Sequence, residues 1–375
     1  MKRILIALIC LFALTASAND GVYYTSGNQI VPMQETDIRV TKEILTINLG
    51  DDGMADVDVY YELYNDGPQK TVLMGFEADS PYNAFEPVKR PWEHPFISLF
   101  SVEMNGAKLP YSTALYASNF KVGDEPLDMK EWQNFEQMAN STVDIMDDML
   151  YNPRLDSACQ YSHVYKFDAT FLHGKNTVHH VYRYNMGMTI CSVFELAYKL
   201  SPATRWANHQ IDDFTLCITA KNTAKHFLIA AGPFEDGEFI VKKRMGKVRK
   251  IDHYEDYYYE VSLRDGLLEW HATDFCPTEE LYISSADVLI GADTPYKLGA
   301  FYDRSANYRP ELCTFDAEID KDILRNLPYA HRGYMFKKEK YQKYFEQFWW
   351  YMPDAYWEPS TADFTLAELE LIKQK

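Results

Sequence analysis

The stretch ADVDVYYEL, residues 55–63, sets the pattern from which the fold of this chain follows. Its odd-numbered residues are apolar and its even-numbered residues are more polar, so the side chains repeat with a period of two. Such a period is typical of a half-buried antiparallel strand with one face on the core. The turn sequence GDDG at 50–53 links this strand to a stretch rich in β-branched residues over 37–49, and NDGP at 65–68 turns the chain into a further strand over 71–76.

The same alternation recurs as far as residue 272. Further strands are predicted over 96–104 and 107–109 around the turn Asn105-Gly106, then over 165–171, 178–184, 214–218, 239–243, 257–263 and 267–272. We expect 239–243 to pair with 257–263. Because the chain has neither βαβ alternation nor an internal repeat, it predicts a mainly β, antiparallel, sandwich-like body over residues 19–305. Apolar residues at steps of three and four predict a helical insertion at about 126–150.

The last part of the chain has helical rather than strand periodicity. This change places a domain boundary near residues 305–315. Helices are expected from Asp320 toward Gly333, over 337–348, and from the capping box at 365–368 onward. We therefore expect a small all-α C-terminal module over residues 313–375.

The N-terminus has the features of a secretory signal peptide over residues 1–18. Lys2 and Arg3 precede a short apolar run, and Ala16-Ser17-Ala18 forms a signal-peptidase site. Cys10 lies within the apolar run after the bulky Ile9, which argues against lipidation. No later stretch is apolar enough to span a membrane. The mature protein is expected to begin at Asn19 and to be secreted, either periplasmic or extracellular.

The charge of the chain argues against nucleic acids and anionic lipid surfaces as partners. The formal net charge is −18, and removal of the leader with its two cations takes it to −20. Nucleic acids and anionic lipid surfaces bind through Lys and Arg, so neither is an expected partner. One basic run, residues 242–250, interrupts the acidity, and we interpret it as a solvated hairpin in preference to an anion site.

The cysteines agree with an oxidising compartment but leave their pairing open. Five cysteines remain after processing, so at least one is unpaired or paired between chains. No C-x-x-C is present, which argues against a thioredoxin-like site or a zinc ribbon. We predict a Cys276–Cys313 bridge across the junction, and the competing pair is Cys159 with Cys191.

Sequence signatures of catalysis are missing. The chain has no G-x-S-x-G, no H-E-x-x-H, no phosphate-binding glycine loop and no EF-hand spacing, so no catalytic residue, cofactor or metal is predicted. His180 shares an apolar strand face with its neighbours and is expected in the core. The group His253, Glu255 and Asp256 and the aspartates at 51, 52, 56 and 58 are interpreted as solvated strand residues, with weak metal binding as the alternative.

The sequence Tyr329-Ala330-His331-Arg332-Gly333 and its surroundings resemble the YARHG domain, a small extracellular bacterial module. The resemblance also rests on Leu324-Arg325-Asn326, Tyr334, Phe336, Tyr344-Phe345, Trp350-Tyr351, Leu366 and Glu370, and it covers residues 313–375. His331 and Arg332 stand here in the opposite order to the family's signature. The resemblance implies an extracellular helical module.

The body resembles the domain-of-unknown-function family 4424 of secreted bacterial proteins. The resemblance rests on Asp20-Gly21, Glu35 to Ile38, His180 to Tyr184, Trp206 before Ile211 to Phe214, and Asp274 to Pro277. It implies a fold and a compartment rather than an activity.

Cationic and aromatic residues crowd the predicted module. Seven Lys and Arg face three Asp and Glu between Asp320 and Lys343, and thirteen aromatic residues lie between Tyr329 and Phe364. A domain this small buries most of its aromatics to stay folded, and the remainder is expected to bind. The predicted binding residues are Tyr329, His331, Arg332, Tyr334, Trp349, Trp350 and Tyr351.

Together these features predict a secreted, non-catalytic cell-envelope protein whose C-terminal module binds a cell-wall polymer or an envelope protein. The alternative is an envelope hydrolase acting on peptide or glycan, because modules like YARHG accompany peptidase domains. The sequence offers no matching nucleophile, metal cluster or acid pair for that alternative.

Overall fold

The computed structural model describes the greater part of the chain. The described residues are 18–26, 29–33, 37–50, 52–79, 97–117, 161–186, 194–221, 226–234, 237–243, 245–253, 256–264, 266–285, 321–349, 351–357, 360, 364, 369 and 372–373. The predicted helical insertion at 126–150, most of the predicted signal peptide and the predicted junction at 305–315 lie outside them.

Three β-sheets form the body. The first contains β1 (Ala18–Ser26), β2 (Gln29–Met33), β5 (Lys70–Asp79), β8 (Ser112–Ala117) and β9 (Tyr161–Phe171). Its strands run antiparallel in the order β2-β1-β5-β9-β8.

The second sheet has eight strands. It contains β3 (Ile38–Leu49), β4 (Met54–Asn65), β6 (Ile97–Met104), β7 (Ala107–Lys108), β10 (Gly174–Asn185), β12 (Ile211–Ala220), β14 (Ile240–Lys242) and β17 (Leu267–Phe275). The order is β14-β17-β12-β3-β4-β10-β6-β7, and only the β12–β3 pair among the described strands is parallel.

The third sheet contains β11 (Glu195–Tyr198), β13 (His226–Ala230), β15 (Gly246–His253), β16 (Asp256–Leu263) and β18 (Leu281–Ser285). Its antiparallel order is β11-β18-β13-β16-β15, which leaves β15 at one edge.

One continuous apolar core joins the inner faces of the three sheets. Phe76 of the first sheet lies 5.2 Å from Phe100 of the second, between ring centroids. Phe234, which follows the third sheet's β13, lies 5.0 Å from Trp270 of the second. Burial of each such side chain contributes about 1.5–3 kcal/mol, which makes this packing the main stabilising term of the body.

The stretch with which the sequence analysis began is part of β4, and its alternation is confirmed. Ala55, Val57, Val59, Tyr61 and Leu63 are buried, while the residues between them are partly or fully exposed. The predicted turn at 105–106 is also confirmed. Asn105 and Gly106 have φ values of 51° and 80°, the left-handed pair that a type I′ hairpin requires. The prediction of a mainly β, sandwich-like body is therefore confirmed.

The predicted pairing of 239–243 with 257–263 is wrong. β14 pairs with β17 in the second sheet, with Val241 opposite Leu268. β16 pairs instead with β15, where Val248 lies opposite Val261. The intervening run is itself a strand that forms a hairpin with β16, so it takes the position that we assigned to 239–243.

The basic run is exposed at Lys242, Lys243, Arg249 and Lys250, as its interpretation as a solvated hairpin expects, but part of it is strand. Lys247, Arg249 and Lys250 belong to strand β15. The Lys250 ammonium lies 5.0 Å from the ring centroid of Tyr257, and the Lys247 ammonium donates to a carbonyl of the C-terminal module. These cations therefore make specific contacts within the fold.

The C-terminal module contains the helices α1 (Lys321–His331) and α2 (Glu339–Glu346), which confirms helices at the first two predicted positions. The capping box predicted at 365–368 lies outside the described residues. The module has a small core of its own, formed by Ile323, Leu327, Ala330, Phe336, Phe345, Phe348 and Tyr351. No helix in the described ranges has both the length and the apolar character that membrane crossing demands.

Candidate binding site on the C-terminal module

A helix C-cap builds the loop at the centre of the module. Gly333 follows α1 with φ of 78°, a left-handed conformation that favours glycine. The Gly333 N–H donates to the Ala330 carbonyl over 2.8 Å, and the Tyr334 N–H donates to the Tyr329 carbonyl over 2.9 Å. These two bonds form a Schellman motif, which satisfies carbonyls that the helix end leaves open. We call residues 329–334 the signature loop.

The chain after α2 returns to lie beside the signature loop. Tyr334 and Asp354 form an isolated parallel bridge, in which the Asp354 N–H donates to the Gly333 carbonyl over 2.8 Å. The Asp354 carboxylate also accepts the Tyr356 N–H over 2.9 Å. Tyr356 is 94% exposed. A side chain of this size held outside the fold on an ordered turn is a candidate contact for a partner.

Tyr351 of the predicted binding set lies in the module's core. Its hydroxyl donates to the Tyr334 carbonyl over 2.6 Å and lies 3.1 Å from Gln342 Oε1, which accepts the Phe336 N–H. Burial raises the pKa of Tyr351 to about 12. Tyr351 therefore joins the return segment to the signature loop and is not available to a ligand.

Three other members of the predicted set are brought together near Phe364. The Arg332 guanidinium donates to the Pro328 carbonyl over 3.0 Å and lies 4.3 Å from the ring centroid of Phe364. Tyr329 packs edge-on against the same ring at 5.0 Å, and its centroid lies 6.1 Å from that of Tyr334. All three are half-buried, so each presents part of its surface outward.

Trp349 of the predicted set lies apart from that group. Trp349 is half-buried and faces the body, where the Arg249 guanidinium lies 4.6 Å and the His226 ring 6.3 Å from its ring centroid. Trp350 lies outside the described residues. His331 is the last residue of α1.

Cationic side chains from the third sheet hold the module against the body. The Lys247 ammonium donates to the carbonyls of Trp349 and Tyr351 over 2.8 and 3.1 Å, and burial lowers its pKa. Arg264, only 5% exposed, donates to the Met352 carbonyl over 2.7 Å and to the Asp354 carboxylate. We call Lys247, Arg249 and Arg264 with residues 349–354 the docking seam.

A buried carboxylate supports the body side of the docking seam. Glu260 is 1% exposed, and its carboxylate lies 3.1 Å from His226 Nε2 and accepts a hydrogen bond from the Arg249 guanidinium. Burial alone raises the pKa of Glu260, but His226 and Arg249 outweigh it and the pKa is lowered. Glu260 therefore stays ionised and orients Arg249 toward Trp349.

The sequence analysis missed the docking seam and the exposed tyrosine. It noted the basic run that contains Lys247 and Arg249, yet it assigned these residues to solvent. Arg264 follows a strand with no neighbouring charge pattern, so nothing local distinguished it. Tyr356 was counted among the aromatics but was left out of the predicted binding residues.

The module also carries exposed cations. Lys337, Lys338 and Lys340 are exposed, and the ammonium groups of the last two lie 5.7 and 5.6 Å from the ring centroid of Tyr341. Met335 is also exposed. The module therefore presents two ammonium groups beside the half-buried ring of Tyr341.

The metal alternatives from the sequence fall partly outside the described residues, since Asp51 and Glu255 are not among them. Arg183 pairs with Asp52 and lies 3.7 Å from Asp56, and His179 lies 3.0 Å from Asp58. Across the part of the chain that the structure describes, no group of three His, Cys, Asp or Glu is arranged to hold a metal ion. His180 is fully buried, with Phe76 and Phe100 at 5.7 Å, which confirms it as a core residue.

The predicted disulfides stay predictions. Cys276 is exposed directly after β17, and Cys313, Cys159 and Cys191 lie outside the described residues.

The helix cap, its glycine and the aromatic residues around it agree with a known domain. Residues 303–374 match the YARHG domain. The match begins ten residues before the boundary at 313 that we predicted, and it confirms the resemblance for this part of the chain. The resemblance of the body to family 4424 stays a prediction.

Comparison with solved structures gives distant likenesses. A Legionella pneumophila protein for which nutrient binding has been suggested has a TM-score of 0.48 at 15% identity, over 96% of this chain and 98% of that one. The M1 zinc metallopeptidase of Deinococcus radiodurans has a TM-score of 0.25 at 8% identity, over 68% and 43%. Yeast LTA4 hydrolase has a TM-score of 0.23 at 9% identity, over 63% and 29%.

These likenesses carry no argument about function, because each TM-score is below 0.5. The chain spans less than half the length of either of the two hydrolases. None of the curated proteins compared with the chain matches it.

Proposed function

We propose that this chain is a secreted, non-catalytic protein of the bacterial cell envelope, and that its YARHG module binds a cell-wall polymer or an envelope protein. The observation that carries the proposal is the exposed turn at Tyr356. The module buries or half-buries its other described aromatics, yet it holds this one in solvent at 94% exposure.

The turn at Tyr356 is suited to binding because it is ordered before a partner arrives. The Asp354 carboxylate accepts the Tyr356 N–H, and the Trp357 N–H donates to the Asp354 carbonyl over 3.3 Å. A pre-ordered contact residue loses less conformational entropy on association than a mobile one. Tyrosine also offers a flat apolar ring with a polar hydroxyl, which suits both sugar faces and protein surfaces.

The lysines of the module supply the charge that such a contact needs. The whole chain is strongly acidic, so anionic polymers are repelled unless a local surface compensates. Lys337, Lys338 and Lys340 form that surface on the module. Peptidoglycan offers carboxylates together with sugar rings, and an acidic envelope protein offers the same charge.

Secretion is supported by the family of the module and by the predicted leader. The YARHG domain is a module of extracellular bacterial proteins, and residues 303–374 match it. A signal peptide over residues 1–18 remains a prediction from the sequence. N-terminal sequencing of the protein recovered from the envelope fraction should find Asn19 as the first residue.

Co-sedimentation with purified sacculi, and recovery of partners from an envelope lysate, test the proposal with the full chain. Tyr356→Ala is expected to reduce binding by roughly tenfold, since removal of an anchoring aromatic costs about 1–2 kcal/mol. Tyr257→Ala is the matched control, because it removes another exposed tyrosine from the body. Replacement of Lys337, Lys338 and Lys340 by alanine should weaken binding and reduce its dependence on salt.

Two results would contradict the proposal. Equal binding by the Tyr356→Ala and Tyr257→Ala variants would move the contact away from the module. Release of soluble fragments from sacculi by the purified protein would favour the hydrolase alternative instead.

A further inference from the structure

The docking seam contains a site for a guanidinium group. Arg264 Nη1 donates to the Met352 carbonyl over 2.7 Å, while Nη2 donates to the Asp354 carboxylate and lies 3.0 Å from the Met245 sulfur. The Arg264 side chain is 6% exposed and that of Asp354 is 25% exposed. A cation this deeply buried requires such partners, because desolvation of an unpaired charge costs several kcal/mol.

Gly333 of the signature loop makes room for this group. A Cβ at residue 333 would overlap both the Arg264 guanidinium and the Met352 carbonyl oxygen. Gly333 therefore has two roles at one position: its φ of 78° caps α1, and its missing side chain admits Arg264.

The two acceptors favour a planar guanidinium over a lysine ammonium. Met352 and Asp354 bind two different nitrogens of one guanidinium. A lysine ammonium is a single centre on a flexible stem, so it cannot reproduce two donors held in one plane.

Asp354 links this site to the exposed turn. One carboxylate oxygen accepts from Arg264, and the other accepts the Tyr356 N–H. Its N–H donates to the Gly333 carbonyl, and its carbonyl accepts the Trp357 N–H. The position of Asp354 therefore determines both the attachment of the module to the body and the conformation that presents Tyr356.

We propose that residues 352–354 of the YARHG module, beside Gly333 of the signature loop, form a guanidinium-binding site, that the body fills it with Arg264, and that this occupancy positions the turn 354–357. Arg264 is thus a positioning residue for the contact surface. Its effect on a ligand rests on the proposed function, whereas the guanidinium site and its effect on the turn do not.

Hydrogen exchange of the full chain tests the site without any ligand. In Arg264→Ala, the amides of residues 351–357, above all that of Asp354, are expected to exchange at least about tenfold faster, while α1 keeps its protection. Ethylguanidinium at millimolar concentration should restore slow exchange in this variant, and ethylammonium should not. Lys321→Ala removes an exposed cation from the same module and is the control.

Arg264→Lys separates a guanidinium site from a simple need for positive charge. In Arg264→Lys, residues 351–357 should still exchange fast. If Arg264→Ala also loses the protection of α1, Arg264→Lys should restore that protection. Full protection of 351–357 in the lysine variant would overturn the proposal. Unchanged exchange in Arg264→Ala, or equal rescue by the two small cations, would overturn it as well.

Binding to sacculi distinguishes this inference from the proposed function. Arg264→Ala is expected to bind sacculi several-fold more weakly, and ethylguanidinium should recover the loss. If the wild-type chain does not sediment with sacculi, the wall polymer is excluded as the ligand. The exchange results would still decide whether the guanidinium site exists.

Discussion

Gly333, beside the docking seam, has two structural roles that substitutions can separate. It adopts a left-handed backbone conformation, and it leaves space for Arg264. Gly333→Ala places a Cβ at a left-handed φ and against the Arg264 guanidinium. Gly106→Ala is a matched control, because Gly106 has nearly the same φ of 80° but nothing within 4 Å of the added Cβ. We expect the control to lose about 1–2 kcal/mol of stability from backbone strain alone.

Gly333→Ala should lose at least about 3 kcal/mol, since displacement of Arg264 leaves a buried charge without its partners. Urea unfolding of both variants, followed by tryptophan fluorescence, measures the difference. Equal losses in the two variants would mean that Gly333 serves only the backbone conformation.

Glu260 makes the stability of the chain depend on pH. Its pKa in the folded state lies below the usual value of 4.5, because His226 and Arg249 favour the carboxylate despite its burial. The carboxylate therefore stabilises the folded state fully above the unfolded pKa. This contribution is lost as the pH falls through the folded pKa.

Glu260→Gln should be less stable than the wild type at pH 7, and its stability should fall less steeply below about pH 4.5. The pKa of Glu62 is also lowered, chiefly by its hydrogen bond from Lys175, but that pair lies at the surface. Glu62→Gln should therefore have a smaller effect. The measurement is the urea midpoint of each variant between pH 7 and pH 3, and parallel curves for Glu260→Gln and wild type would contradict the assignment.

Strands of the body were predictable where one face is buried and the other is solvated. β4 and β10 have that simple alternation, and their apolar residues lie in the core as expected. Pairing partners were less predictable, because alternation shows which face is buried but not which strand lies beside it. Residues 239–243 were assigned to the wrong neighbour for this reason, since the charged run that follows concealed strand β15.

The alternation within β12 predicts how its two faces respond to truncation. Phe214 is fully buried, with Phe275 stacked 4.6 Å away, whereas its neighbour Thr215 is half-exposed on the other face. Phe214→Ala should cost about 3–5 kcal/mol of unfolding free energy, from lost burial and from the cavity left behind. Thr215→Ala should change stability by less than about 1 kcal/mol. Urea denaturation compares the two variants. Similar midpoints would mean that the burial of Phe214 contributes little to the stability of the core.

The candidate site was harder to predict than the strands because the module is small. Its aromatics are so dense that sequence spacing does not separate core rings from surface rings. Tyr351 fills the core, Trp349 faces the body, and Tyr356, which the prediction did not select, is exposed. The docking seam was beyond sequence reasoning, because Arg264 and Asp354 lie 90 residues apart and meet only in the folded chain.

At the scale of the whole molecule, the body and the C-terminal module contribute complementary groups to their contact. The third sheet contributes cations from an otherwise acidic chain, and the module contributes carbonyl and carboxylate oxygens to the same contact. Lys247, Arg249 and Arg264 are thereby neutralised or hydrogen-bonded within the fold. Lys337, Lys338 and Lys340 of the module stay exposed.

The docking seam should hold the module on the body after the connecting chain is cut. A specific protease site introduced into the predicted junction at 305–315 allows one defined cleavage of the full chain. We expect both fragments to co-elute in size-exclusion chromatography, because Arg264 and Lys247 donate to residues 349–354 independently of the linker.

The same cleavage in Arg264→Ala should release the module, since loss of this buried pair removes the strongest single contact of the seam. Lys321→Ala carries the same cut and should stay associated. Separation of the wild-type fragments would mean that the linker, rather than the seam, joins the two parts.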